Sequence, residues 1–224
     1  MKAIKFLVVT LVALVVVALA GGALLDPDYR VARQTTIAAP ALVVFTQIND
    51  LRRWEGWSPW KAMDPAMVLT YGARTVGKGG TYSWSGRKAG AGSGTIAQSR
   101  LPSQVVVALD FGDSGTGTAQ FDLADDGAGG STVVWTFFGR HEGPLGGWLA
   151  LITEPMFGPQ FERGLAALKA QAEAESQRAG TLGTVAEHVL RAAGQDIADA
   201  MRGAGEAAKR ASEEAAKAME GAGR

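Results

Sequence analysis

Residues 145–174 read LGGWLALITEPMFGPQFERGLAALKAQAEA, and this stretch decides the fold. Leu149, Ile152, Met156, Phe161, Leu165 and Leu168 recur at helical spacing, which predicts a long helix with an apolar side. Such a side needs a surface to lie on, so the residues before it should build a sheet. Pro155 and Pro159 fall inside the stretch. Each lacks a backbone donor and crowds the preceding turn, so a kink or a break is expected there.

Upstream of this helix the period changes to two. Met67, Leu69 and Tyr71 share one face of an extended chain, as do Tyr82 and Trp84, then Val105, Val107, Leu109 and Phe111. Phe121 goes with Leu123, and Val133 with Trp135 and Phe137. Glycine and proline clusters at 77–80, 89–94, 112–117 and 127–130 separate these runs and read as hairpin turns, giving about six strands in a meander. Further upstream, residues 31–40 (VARQTTIAAP) form a β-branched first strand ending at a proline that can open a helix. Val44, Phe45 and Ile48 then repeat at helical spacing, and Asn49-Asp50 can cap a second short helix near Leu51. The order strand, two short helices, strand run, long helix is α+β: a curved antiparallel sheet covered by its last helix, with a cavity between them.

The element order, with Ala39-Pro40, residues 47–60 (QINDLRRWEGWSPW), Met63-Asp64-Pro65, residues 77–84 (GKGGTYSW) and residues 161–169 (FERGLAALK), resembles the polyketide cyclase/dehydrase-type branch of the START-like, birch-pollen-allergen-like (SRPBCC) superfamily. The resemblance covers residues 31–173. It implies the helix-grip fold, a seven-stranded antiparallel sheet gripping a long C-terminal helix around a hydrophobic pocket. The superfamily includes lipid carriers, hormone receptors and cyclases, so the fold alone does not carry a function. The two prolines depart from the uninterrupted helix usual in the family.

Composition narrows the function classes. Lys+Arg and Asp+Glu balance at 22 each in 224 residues, which leaves no overall field to attract nucleic acid. The absence of cysteine removes disulfides, thiolate metal sites, a cysteine nucleophile and lipid attachment at a cysteine. Residues 6–25 carry no charge, and as a helix they span about 30 Å, one bilayer core. Lys2 and Lys5 precede them, favouring a cytoplasmic N-terminus with the domain outside the cytoplasm, although Arg30 and Arg33 on the far side reduce the asymmetry. The segment therefore reads as a single-pass membrane anchor. Ala18-Leu19-Ala20 before Gly21 also fits the small-residue rule for signal cleavage, so export after cleavage is the alternative.

Trp54, Trp57 and Trp60 recur every three residues beside Pro59 and form an aromatic cluster suited to bordering a cavity mouth. Tyr82, Trp84, Phe121, Trp135 and Phe137 on the strands and Phe161 on the long helix complete the candidate ligand-binding set, although a sheet face can be aromatic for packing alone. No catalytic set emerges. His141, in Gly139-Arg140-His141-Glu142, has no placed partner because alternation sends it away from both neighbours, and Ser58 has no base nearby. No second histidine or cysteine lies at ligand spacing for a metal, and the glycines lack phosphate-loop or dinucleotide spacing, so no cofactor is expected.

Beyond residue 176 aromatic residues disappear, and seven basic residues cancel seven acidic ones along a sparse apolar stripe, a weakly amphipathic helical extension. Three segments follow: 1–27, anchor or signal; 28–175, helix-grip domain; 176–224, extension. The expected function is a membrane-tethered or exported binding module for a hydrophobic or amphipathic small molecule or lipid, without nucleic acid. The alternatives are a cyclase/dehydrase-type enzyme on a hydrophobic substrate, or a structural interaction domain with a filled cavity.

Overall fold

The computed structural model describes residues 2–179 and 182–222. Its elements are α1 (Lys2–Leu24), β1 (Asp28–Ile37), α2 (Ala41–Asn49), a 3₁₀ segment (Leu51–Gly56), α3 (Pro59–Met63), β2 (Val68–Tyr71), β3 (Thr81–Gly86), β4 (Gly90–Arg100), β5 (Gln104–Asp110), β6 (Thr116–Asp125), β7 (Ser131–Arg140), α4 (Gly146–Ala179) and α5 (Leu182–Ala222). The chain divides into two compact units, Met1–Gly180 and Thr181–Arg224. The second unit is the α5 helix, and the first contains everything else. The division falls after residue 180, and α4 runs on to Ala179.

The strands form one antiparallel sheet in the order β1-β7-β6-β5-β4-β3-β2. The five alternating runs are β2, β3, β5, β6 and β7; β4, which carried no run of its own, completes the meander between β3 and β5, and β1 closes it by pairing with β7, from Asp28 opposite Arg140 to Ile37 opposite Ser131. In-register partners share a face, so Tyr82, Gly94 and Leu109 line up across three strands, as do Val105, Phe121 and Trp135. This is the helix-grip fold, with α4 lying across the inner face.

Two features differ from the expected pattern. Gly92 and Gly94 are not turn residues: they sit inside β4, opposite Trp84 and Tyr82. A Cβ on Gly92 would come 2.4 Å from the Trp84 ring, and one on Gly94 would come 2.3 Å from the Tyr82 ring. The missing side chains let both rings lie down across β4. Secondly, α4 passes through Pro155 and Pro159 as one helix without a break. Both prolines are exposed, as are Leu151 and Pro155, the residues whose carbonyls the missing N–H groups leave free, so water can satisfy them.

The covering helix is fastened by packing and by polar contacts. Phe161, Leu165, Leu168 and Ala172 are buried at helical spacing, and a large side chain of this kind contributes about 1.5–3 kcal/mol when removed from water. Arg33 on β1 reaches Glu154 at 2.7 Å and Glu162 at 2.8 Å, while Lys169 donates to the Thr36 carbonyl at 2.8 Å. On the other side Gln171 donates to the side chain of the fully buried Gln47 of α2 at 2.8 Å. Asp50 caps the 3₁₀ segment through the Arg52 N–H at 3.0 Å, as its position suggested.

The helix α1 contains one stretch, Lys5–Leu24, long and apolar enough to cross a membrane, and only a small share of it is buried in the fold. Length and composition fit a signal anchor and a signal peptide alike.

Candidate functional site

Between the inner face of the sheet, the segment 51–63 and α4 lies a cavity of about 370 Å³. That volume is within the usual range for small-molecule sites. Of the nine candidate residues, Trp54, Trp60, Tyr82, Trp84, Trp135, Phe137 and Phe161 line it. Trp57 and Phe121 do not. Both are fully buried behind the wall, where the Trp57 ring meets Phe121 and Trp135 edge-on at 5.9 and 5.7 Å. The Trp57 indole N–H donates to the Gln47 carbonyl at 3.1 Å and that of Trp54 to the Ile48 carbonyl at 2.8 Å, so both rings tie this segment to α2. The every-third spacing of the three tryptophans therefore separates them: Trp54 is in the wall, Trp57 behind it and Trp60 nearest the helix, edge-on to Phe157 and Phe161.

The wall also contains residues that single-residue inspection passed over. Leu51, Met63, Met67, Leu69, Leu109, Phe111, Ala119, Met156 and Phe157 contribute apolar surface, and Glu55, Ser58, Lys61, Lys88 and Gln160 contribute polar groups. Leu109 and Phe111 carried a signal, since they share the alternating face of β5. Phe157 carried one too, lying one turn before Phe161. Lys61 and Met63 carried none; α3 brings them to the rim after Pro59 starts that helix at its first turn.

Polar chemistry in the wall is sparse but defined. The Trp135 indole N–H is buried without a hydrogen-bond partner, and Trp135 itself borders the cavity. An unpaired buried donor of this kind costs about 1–3 kcal/mol, and this one is closed off from the cavity on a ring stacked between Phe121 and Phe161. Burial pushes the Tyr82 phenol well above its ordinary range, with a smaller contribution from Tyr71, so it stays neutral and can both donate and accept. Lys61 uses its ammonium on the Met67 carbonyl, linking α3 to the start of β2. Asp64, held below the usual carboxylate range by the Lys88 N–H first and the Ala89 N–H after it, anchors the β3–β4 hairpin.

His141 lies outside this cavity. Its Nε2 is 2.8 Å from the Thr153 hydroxyl, which in turn donates to the Leu149 carbonyl at 2.8 Å. A carbonyl only accepts, so the single hydroxyl proton goes to Leu149 and Nε2 must carry the proton it shares with Thr153. The Tyr29 ring packs on the imidazole with centroids 4.6 Å apart, and burial lowers the histidine pKa. The arrangement joins the end of β7 to the first turns of α4. Among the described residues no three His, Cys, Asp or Glu side chains gather closely enough to hold a metal ion.

A family model described as polyketide cyclase/dehydrase and lipid transport matches residues 28–173. No functionally curated protein matches the sequence. Among solved structures, a protein of unknown function from Staphylococcus aureus, SA2116, is similar with a TM-score of 0.53 at 10% identity, over 67% of this chain and 96% of that one. That likeness concerns the fold. Protein CV1439 from Chromobacterium violaceum aligns over 65% of this chain and 98% of its own at 16% identity and a TM-score of 0.49. CalU16 from Micromonospora echinospora aligns over 74% and 86% at 15% identity and 0.45.

Proposed function

The chain belongs to the polyketide cyclase/dehydrase and lipid-transport family, and we propose that it is a membrane-held binding module that encloses a hydrophobic or amphipathic small molecule or lipid in the cavity beneath α4. The observation that carries this reading is the composition of the wall, mainly aromatic and aliphatic side chains with a few polar groups among them, including the neutral Tyr82 phenol. A ligand with an apolar body and a polar group matches such a wall, because the body supplies the burial and the few polar side chains can meet the polar group. Trp54, Trp60, Tyr82, Trp84, Trp135, Phe137 and Phe161 are the side chains that would touch it.

In this reading α1 stays in the bilayer, with Lys2 and Lys5 on the cytoplasmic side and residues 28–175 as the binding domain outside the cytoplasm. The segment 176–224 is then an appendage to the binding domain. A reporter active only outside the cytoplasm, fused after residue 175, is expected to be active, and a signal from a cytoplasmic reporter alone would overturn that orientation. For binding, the full chain purified in mild detergent is extracted into organic solvent and examined by mass spectrometry, and titrated in parallel with an apolar fluorescent probe. A co-purifying lipid or saturable probe binding is expected. Neither extract nor binding would remove the carrier reading and leave a filled structural domain.

A further inference from the structure

The apolar residues of α4 that share helical spacing in sequence do not share a face in the structure. Phe161, Leu165 and Leu168 are buried against the sheet, whereas Trp148, Leu149, Ile152 and Met156 are each between 43 and 57% exposed. At about 100° per residue these four fall within an arc of about 100°, on the side of α4 opposite the buried stripe. From Pro159 onward the outer side turns polar, with Glu162 and Arg163 exposed. A soluble helix needs a polar outer side along its whole length. The first three turns of α4 lack one, and their only charged side chain, Glu154, is turned onto Arg33 at 2.7 Å.

This outward apolar strip is continuous with α1. The Trp148 indole donates to the Ala18 carbonyl at 2.8 Å, and its ring lies so close to Gly21 and Gly22 that a Cβ at either would come within 2.7 Å of it. Gly147 allows the same close approach from the other side, where a Cβ would be 2.3 Å from that of Leu25. Ala18 lies six residues before the end of α1 at Leu24, about 9 Å along the helix axis. Interfacial helices bury their apolar side to about 5–10 Å, and tryptophan concentrates at that depth. If α1 crosses a bilayer, the contact with Trp148 sets the start of α4 at its surface.

We propose that the first three turns of α4 lie in the interface of the same bilayer that α1 crosses, with Leu149, Ile152 and Met156 among the acyl chains. The proposal rests on the membrane-held reading above and adds an entry route to it. Met156 belongs both to the outward strip and to the cavity wall, so docking sets the rim of the cavity against lipid. A hydrophobic ligand then passes between bilayer and cavity without crossing water.

The chain has no native cysteine, so single labels can be placed in the full-length protein. Leu149→Cys, Ile152→Cys and, as control, Arg163→Cys carry an environment-sensitive fluorophore and are reconstituted into phosphatidylcholine vesicles containing spin-labelled lipid. Retention on vesicles after alkaline carbonate washing tests the anchor by itself, and loss there overturns the anchor and the docking together. With retention established, quenching at 149 and 152 is expected to exceed that at 163 by about threefold or more, as immersion of one face requires. Quenching equal to the control would overturn docking while leaving the anchor intact. Energy transfer between labelled copies without lipid quenching would also overturn it, by showing that a second copy covers the strip. Circular dichroism identical to the unlabelled chain establishes that each variant is folded, and Leu151→Cys on the flank of the strip replaces any variant that is not.

Discussion

The rings of Trp135 and Phe161 stack face to face, with centroids 4.0 Å apart and planes within 6° of parallel, joining the middle of β7 to the covering helix. Phe121 stacks on Trp135 as well, at 5.1 Å, so the contact continues into the aromatic core. Phe161 is thus wall and fastening at once. Phe161→Ala is expected to cost about 3–5 kcal/mol, the usual range for deleting a buried aromatic ring, measured by denaturant unfolding of the full chain in detergent. A loss below about 1 kcal/mol would mean that α4 is held by its polar contacts instead.

The two strand glycines should be separable by what each faces. The atoms nearest a methyl at Gly94 are side-chain atoms, the Tyr82 ring at 2.3 Å and Leu109 at 3.1 Å, so the ring of this wall residue must shift. One at Gly92 meets the Trp84 ring and also the main-chain oxygen of Asp110 at 2.5 Å. Gly94→Ala is therefore expected to weaken apolar-probe binding with a stability loss near 1 kcal/mol, and Gly92→Ala to lose about 2–3 kcal/mol, at the upper end for overpacking. Equal stability losses in denaturant titrations would contradict this assignment.

Trp57 and Trp84 should exchange the effects expected of a single tryptophan cluster. Trp57→Phe removes the bond to the Gln47 carbonyl and is expected to cost about 1–3 kcal/mol of stability with little change in probe affinity. Trp84→Ala removes a half-buried wall residue and is expected to weaken the probe by about 1–3 kcal/mol while unfolding remains cooperative. Fluorescence titration and denaturant unfolding on the same samples distinguish the two.

His141 should give a pH dependence of one sign. Its pKa is lowered on folding by burial, so in the interval below the ordinary value of 6.5 the unfolded chain binds more protons than the folded one. The stabilisation is complete above that value and is lost as the pH falls through the folded pKa. The melting temperature is expected to fall between about pH 7 and about pH 5, and the fall to shrink in His141→Gln, which keeps a donor for Thr153 but cannot titrate. An unchanged profile in that variant would assign the acid sensitivity to other groups.

Much of the fold was legible locally. Alternation along Val105, Val107 and Leu109 or Val133, Trp135 and Phe137 is a property of the extended chain itself, because successive side chains must point to opposite faces. Six of the seven strands, the short helices after β1, the long last helix and the apolar segment at 6–25 could therefore be read in order, whereas the glycines of β4 hid that strand, and hairpin connections left few ways to join them. What periodicity cannot state is what lies opposite a side chain. Leu149, Ile152 and Met156 read as one stripe with Phe161 and Leu168, yet only the latter pair is buried against the sheet; the former are about half exposed, next to Trp148, whose indole reaches Ala18 of α1 about 130 positions away. Gly92 and Gly94 looked like turn glycines until strand register set them under Trp84 and Tyr82, and Trp57 looked equivalent to Trp54 and Trp60 until packing against Phe121 and Trp135 set it behind the wall. The sequence by itself determined the elements and their order, because these follow from backbone geometry and the local hydrophobic period. Only the tertiary structure decided which apolar groups became core, cavity wall or outward surface, because that depends on which distant segment arrives to cover each of them.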